Sequence, residues 1–306
     1  MDRNSVSWQG YFPAAPTPFT ADGAVDETAL RALMNHYVDA GVHGVLVNGS
    51  SGEWWSLSDA ERRRVPEVAI EAVAGRIPVI VGCTAFTAAA AIDLADAATA
   101  VGADGVLFTP PPYAHPTQDE IYEHYRLIDE AVDVPIVAYN WPRGTAVEIE
   151  IDTAKRIADL EHVVAMKNST ADISSVIAYI EALGDKVRIF ASLINPVGLA
   201  ILQGAGGDGY IDGGGIGAPF AVPFFEALWA GDTDTARDNA QKWSALTRGW
   251  INTDFGGKFA APSSQLKAAM EILGQPGGQV RQPLLPLTDE AKLTELRTHL
   301  ATSGLL

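Results

Sequence analysis

Ala40-Gly41-Val42-His43-Gly44-Val45-Leu46-Val47 returns as Val101-Gly102-Ala103-Asp104-Gly105-Val106-Leu107-Phe108, and a third time as Ala205-Gly206-Gly207-Asp208-Gly209-Tyr210-Ile211-Asp212. Each copy reads as the end of a helix, a glycine stop and a buried strand that is apolar on both faces. Other short apolar runs lie between the copies: Pro78–Gly82, Pro135–Tyr139, Val163–Lys167 and Val187–Ala191. With Gly10–Pro16 they make eight strand candidates, most of them spaced by roughly 22 to 35 residues. The intervening segments have helical periodicity. Leu30, Leu33, Met34, Tyr37 and Val38 form one apolar stripe. Ser58-Asp59-Ala60-Glu61 and Thr117-Gln118-Asp119-Glu120 have capping-box spacing, and Gly75 and Gly102 stand where helices should stop. Eight alternating units with doubly buried strands predict a parallel sheet closed into a (β/α)8 TIM barrel. An open doubly wound sheet would carry a Gly-rich loop after its first strand, and Ala14-Ala15-Pro16-Thr17-Pro18 is not one. Helical stretches near 233–250, 263–273 and 288–301 follow. The expected division is a barrel over 1–230 and a C-terminal helical subdomain over 231–306.

The chain has 306 residues, 47% of them hydrophobic and 19% charged, an ordinary globular mixture. Its formal net charge of −17 argues against nucleic acid and anionic membranes as partners. An anionic substrate stays open, because one buried cation can dominate a pocket. Cys83 is the single cysteine, so no intrachain disulfide and no Cys-rich zinc site can form. No apolar run reaches the ~20 residues of a bilayer span, and no signal peptide is expected, since no apolar segment follows Met1-Asp2-Arg3-Asn4-Ser5. These features point to a reducing, cytoplasmic home. No His or carboxylate group has convincing metal spacing around His43 or His115, so no metal site is expected.

In a parallel barrel the C-terminal strand ends face the active site. That rule selects Asn48 to Glu53, Tyr113, Tyr139, Lys167, Ser192 and Asp212. Lys167 ends an apolar strand, where an unpaired ammonium is costly and its pKa should fall. A neutral amine there attacks carbonyls; the alternative is a lysine that snorkels or pairs with a carboxylate. Tyr139 ends the preceding strand, either as a proton shuttle or as a rim aromatic. Gly49-Ser50-Ser51-Gly52-Glu53 offers hydroxyls and free N–H groups to a carboxylate, although many turns are Ser/Gly-rich. Trp54, Trp55 and Trp141 stand near the mouth, either as walls for a sugar face or aromatic ring or as packing. Asp212 could hydrogen-bond substrate hydroxyls.

Taken together these residues resemble the dihydrodipicolinate synthase/N-acetylneuraminate lyase family of class I aldolases and dehydratases. The family's G-T-T-G-E motif is Gly49-Ser50-Ser51-Gly52-Glu53, and its Y-N-x-P motif is Tyr139-Asn140-Trp141-Pro142. Its lysine lies in Met166-Lys167-Asn168-Ser169-Thr170, and Pro16-Thr17-Pro18-Phe19 and Thr109-Pro110-Pro111-Pro112-Tyr113 match as well. The resemblance implies that Lys167 forms a Schiff base with pyruvate or a longer 2-oxo acid and that Tyr139 relays protons. It implies that Ser50 and Ser51 hold the carboxylate and that Ser51 joins the relay. Ile211 would line the lysine pocket, and Tyr113 would reach into a neighbouring subunit of a homotetramer built as a dimer of dimers. No cofactor is implied.

The family's synthases follow Y-N-x-P with x-R-T-G and bind a distal carboxylate with that arginine; here Arg143 is displaced by one residue. Asn168-Ser169-Thr170 is nearer the K-D-S-S pattern of catabolic members. The main expectation is therefore a 2-oxo-acid lyase, aldolase or dehydratase. The alternatives are 4-hydroxy-tetrahydrodipicolinate synthase, joining pyruvate to aspartate semialdehyde, and a non-catalytic relative that binds a 2-oxo acid.

Overall fold

The structure is a computed structural model that describes residues 1–252 and 256–306. Eight parallel strands close into one barrel in sequence order, with the last paired to the first. They are β1 (Gly10–Ala14), β2 (Val45–Val47), β3 (Val79–Gly82), β4 (Gly105–Phe108), β5 (Ile136–Asn140), β6 (Val163–Asn168), β7 (Arg188–Ala191) and β8 (Gly209–Gly213). The helices between and after them are α1 (Glu27–Asp39), α2 (Asp59–Val73), α3 (Ala88–Ala100), α4 (Gln118–Asp129), the single turn α5 (Pro142–Thr145), α6 (Ile151–Ala158), α7 (Ile173–Leu183), α8 (Pro196–Gly204) and α9 (Ala218–Ala230). Beyond the eighth unit come α10 (Thr233–Thr247), α11 (Pro262–Ile272) and α12 (Glu290–Ser303).

Local chemistry accounts for these boundaries. Leu30, Leu33, Met34 and Tyr37 bury one face of α1. Both capping boxes form, Ser58 with Glu61 at α2 and Thr117 with Glu120 at α4. The repeated phrase works as a helix stop because Gly41, Gly102 and Gly206 have φ of 73°, 90° and 100°, a region costly to residues with a Cβ. β1 ends at Ala14, two residues before the sequence pattern suggests, because Pro16 and Pro18 have no N–H to give a ladder. The helix expected over 233–250 stops at Thr247, just before Gly249 at φ 71°.

Two apolar layers hold the molecule together. One fills the space between barrel and helices; the other fills the barrel itself, with Phe12, Leu46, Ile80, Leu107, Val137, Ala165, Phe190 and Ile211. Trp8 plugs the floor of the barrel. A Cβ built on Gly105 would lie 2.3 Å from the Trp8 ring and 2.9 Å from the Pro135 carbonyl oxygen, so only glycine fits there.

One irregularity aims the site. Ile136 pairs with Val163 but Val137 pairs with Ala165, so β6 carries one extra residue. Val164 and Ala165 both join the interior layer as a result, and Lys167 comes into register with Tyr139 on the inner face. A ladder without the bulge would set Met166 opposite Tyr139 and turn the lysine toward the helices.

Gly105→Ala is expected to lower stability by ~1–3 kcal/mol through overpacking against Trp8. Urea unfolding checks this; an unchanged midpoint would show that the floor has slack that the packing denies.

Candidate active site

Lys167 is 7% exposed, on the inner face of β6. Its Nζ sits 4.1 Å from the centroid of the Tyr139 ring. Among the described residues no carboxylate lies within ion-pair distance of it, so a π face replaces water as its main solvation. Burial pushes its pKa from 10.5 down to about 7, against the opposing pull of Asp212. The desolvation cost outweighs the attraction because the nearest acid is not in contact.

Tyr139 is held from several sides. Its ring stacks on Trp141 with centroids 5.9 Å apart and planes 9° apart. Its backbone N–H donates to the Tyr125 hydroxyl at 3.3 Å. Burial raises its pKa above 10, and a hydrogen bond with the Ser169 side chain opposes that rise. The phenol is therefore a proton donor at neutral pH, with a second hydroxyl beside it. Asn140 ties the two strand ends together: its Nδ2 donates to Asn168 Oδ1 at 3.0 Å, its Oδ1 accepts from the Ile149 N–H at 3.0 Å, and its carbonyl accepts from the Ser169 N–H at 2.9 Å.

The Gly49–Glu53 turn begins and ends in strain, with Asn48 at φ 53° and Glu53 at φ 55°. Asn48 is fixed by an Nδ2 bond to the Arg62 carbonyl at 2.7 Å. Gly82 makes room for the turn, since a Cβ there would fall 2.3 Å from the Asn48 carbonyl oxygen. A Cβ on Gly213 would lie 2.8 Å from Ser51 Oγ, so the Ser51 hydroxyl overhangs the end of β8. Ile211, one layer down, packs in the interior layer with Tyr139 and Phe190.

Lys167, Tyr139, Ile211 and the Ser50–Ser51 turn thus gather at one end of the barrel. Other expected residues lie apart. Asp212 alternates to the face opposite Ile211, where the Tyr11 hydroxyl donates to its Oδ1 at 2.6 Å and burial raises its pKa to about 7. Trp54 packs against the Arg62 guanidinium, 4.9 Å from the ring centroid, beside a cavity of about 280 Å³ that Phe86 and Leu94 also line. Arg143 is exposed on α5. Tyr113 is 88% exposed with φ 73°. Residue-by-residue reading missed Ser169 and the Asn140–Asn168 bridge; the signal was their place immediately after the two strand ends.

The described geometry has known counterparts. The Dihydrodipicolinate synthetase family model matches residues 7–302. A DapA-like lyase of Rhizobium meliloti is 36% identical over 297 residues, 96% of each chain. The 4-hydroxy-tetrahydrodipicolinate synthase of Methanopyrus kandleri is 35% identical over 97% of each chain. The crystal structure of dihydrodipicolinate synthase from Aquifex aeolicus superposes with a TM-score of 0.87 at 32% identity, covering 97% of this chain and 99% of that one.

A lysine titrating near pH 7 is expected in the resting protein. NMR of lysine labelled with 13C at Cε checks it: one resonance should move with a midpoint near 7 and vanish in Lys167→Met. A midpoint near 10.5 for that resonance would overturn the burial argument.

Proposed function

We propose a reaction for a chain that belongs to the dihydrodipicolinate synthetase family and is a Schiff-base lyase acting on pyruvate. The Lys167 amine adds to the ketone of pyruvate or of a longer 2-oxo acid. Tyr139 gives a proton to the departing hydroxyl as the carbinolamine loses water, and takes protons back in later steps. Ser50 and Ser51 hold the carboxylate, and Ser51 passes protons on from Tyr139. Ile211 shapes the wall beside the imine. The iminium draws electrons from the adjacent carbon, so either a C–C bond breaks or forms through an enamine, or a hydroxyl leaves as water. The observation that carries this reading is the buried, carboxylate-free Lys167 nitrogen over the Tyr139 ring.

Asp212 acts from the far side of β8, as a charge seen by Lys167, and Trp54 acts through its packing on Arg62. Arg143, on the turn after Tyr139, is the cation we assign to a second carboxylate. We place the boundary of the helical subdomain at 230/231. No helix among the described residues is long and apolar enough to cross a membrane. As a separate proposal, the protein works in the cytoplasm as a homotetramer. Exposed Tyr113, in a strained backbone, with exposed Trp55 and Phe86 on neighbouring strand-end loops, suits cover by a second copy that receives Tyr113 in its site.

Borohydride with pyruvate is expected to add one reduced pyruvyl group to Lys167, read by intact mass. Tyr139→Phe should still be trapped but lose turnover by about 10²–10⁴-fold. Label elsewhere, or equal label in Lys167→Ala, would overturn the mechanism; trapping of wild type without turnover of any 2-oxo acid would favour the binding-only reading.

The synthase reading is favoured by relatives such as the Methanopyrus kandleri enzyme. With pyruvate and aspartate semialdehyde, cyclised product is expected to form more slowly than pyruvate release or water loss from the preferred longer 2-oxo acid, because Arg143 is displaced. Efficient cyclisation, lost on Arg143→Ala, would make the synthase reading the correct one.

A further inference from the structure

A second buried ammonium stands 100 residues after Lys167 along the chain, outside the barrel strands. Lys267 is on α11 and 4% exposed. Its Nζ lies 2.6 Å from Oε1 of Glu53, which is fully buried. It also donates to the Thr17 carbonyl at 2.8 Å and the Gln279 carbonyl at 2.7 Å, and sits 4.6 Å from the centroid of the Phe19 ring. One charge thus joins three segments: the loop after β1, the turn after β2 and the chain after α11.

The joint bears on the turn at its strained end. Glu53 holds φ 55°, and the Thr17 hydroxyl donates to the Gly52 carbonyl at 2.7 Å. Arg281 braces the other side of the same loop. Its guanidinium donates to Glu61 at 2.6 and 2.8 Å and to the Ser56 and Gly23 carbonyls at 2.8 Å each, and lies 4.2 Å from the Phe19 ring centroid. A buried ion pair contributes little net stability compared with a well-packed apolar pair, because both charges must be desolvated. What it does supply is a fixed distance between two backbones, and here one of them is the turn that carries Ser50 and Ser51.

We propose that Lys267 is a positioning residue for substrate: through Glu53 and Thr17 it fixes the Gly49–Glu53 turn so that Ser50 and Ser51 meet the carboxylate of the 2-oxo acid. This rests on the carboxylate role proposed above for the two serines. Lys267 does not touch the reacting atoms. It sets the affinity for the first substrate and leaves the imine chemistry of Lys167 intact.

The test is borohydride trapping of Lys167 as a function of pyruvate concentration, with thermal unfolding as a control. The proteins compared are wild type, Ser50→Ala, Ser51→Ala, Glu53→Gln, Lys267→Met and the double variant Glu53→Gln/Lys267→Met. Lys267→Met alone leaves Glu53 buried without a partner and can fail to fold; the double variant removes both charges and Glu53→Gln keeps shape. Half-saturating pyruvate is expected to rise about tenfold in each serine variant and in the double variant, and in the double variant the trapped plateau stays unchanged, as for loss of ground-state binding. Wild-type half-saturation in the double variant, with the serine variants shifted, overturns the positioning role alone. Wild-type half-saturation in the serine variants overturns the carboxylate reading, and with it the route by which Lys267 acts.

Discussion

An ammonium that has given up its water must find something else to lean on, and Lys167 finds an aromatic face. The quadrupole of Tyr139 offsets part of the lost hydration, but far less than a contacting carboxylate would. The balance falls toward the neutral amine near pH 7. A contacting acid would hold the proton and leave no lone pair to attack a carbonyl. The proposed chemistry therefore depends on a stabilising partner being withheld. Asp212 shows how narrowly: it is near enough to oppose the shift, yet it faces away and spends its oxygen on the Tyr11 hydroxyl.

The barrel provides that dry environment through side-chain size. Every strand must turn alternate residues inward, and eight inward faces leave space for only a few large groups. Phe12 and Phe190 meet edge to face at 5.3 Å, and Trp8 seals the end remote from the lysine. Gly44 makes room for one of these rings, since a Cβ there would fall 2.0 Å from the Phe12 ring. The added residue in β6 then converts a strand that would have shown its lysine to the helices into one that shows it to the mouth. Fold and site share this device, since the bulge also places Asn168 beside Asn140 and locks the two strand ends together.

The sequence disclosed the parts of this arrangement that repeat. Apolar runs recur along the chain, the glycine stop returns three times and capping boxes open α2 and α4, so eight strand candidates and the strand-end place of Lys167 could be read from the pattern. Tyr139, Ser50 and Ser51 stand at strand ends, where position alone left a bland reading open beside the chemical one; their roles are what the motif resemblance implies. Faces were harder to read. Asp212 and Ile211 are adjacent, and alternation sends them to opposite sides of β8, which the acidic, glycine-rich spelling of that segment does not reveal. Trp54 leaves two readings open in the sequence, a wall of the mouth or packing; in the structure it lies against Arg62, directly after the left-handed Glu53. Lys267 was invisible: it is a single cation on an otherwise ordinary helix, and its partner lies 214 positions earlier, across a closed barrel.

Lys167 and Lys267 make a controlled comparison within one molecule. Both are buried, and burial lowers the pKa of each. Lys267 is given a carboxylate, two carbonyl oxygens and a ring, enough acceptors for all three of its N–H bonds. Lys167 is given a ring and a distant acid. The first environment suits a permanent cation, and such a cation serves as a strut because each of its bonds has a direction. The second gives the charge no contacting acid to offset its burial, so the ammonium is disfavoured and the amine is ready for a carbonyl. The residue type is the same; the count of oxygens around it separates the structural lysine from the proposed nucleophile. The helices beyond the eighth unit supply the proposed strut, since α11 carries Lys267 to Glu53 and Thr17 on the loops that follow β2 and β1.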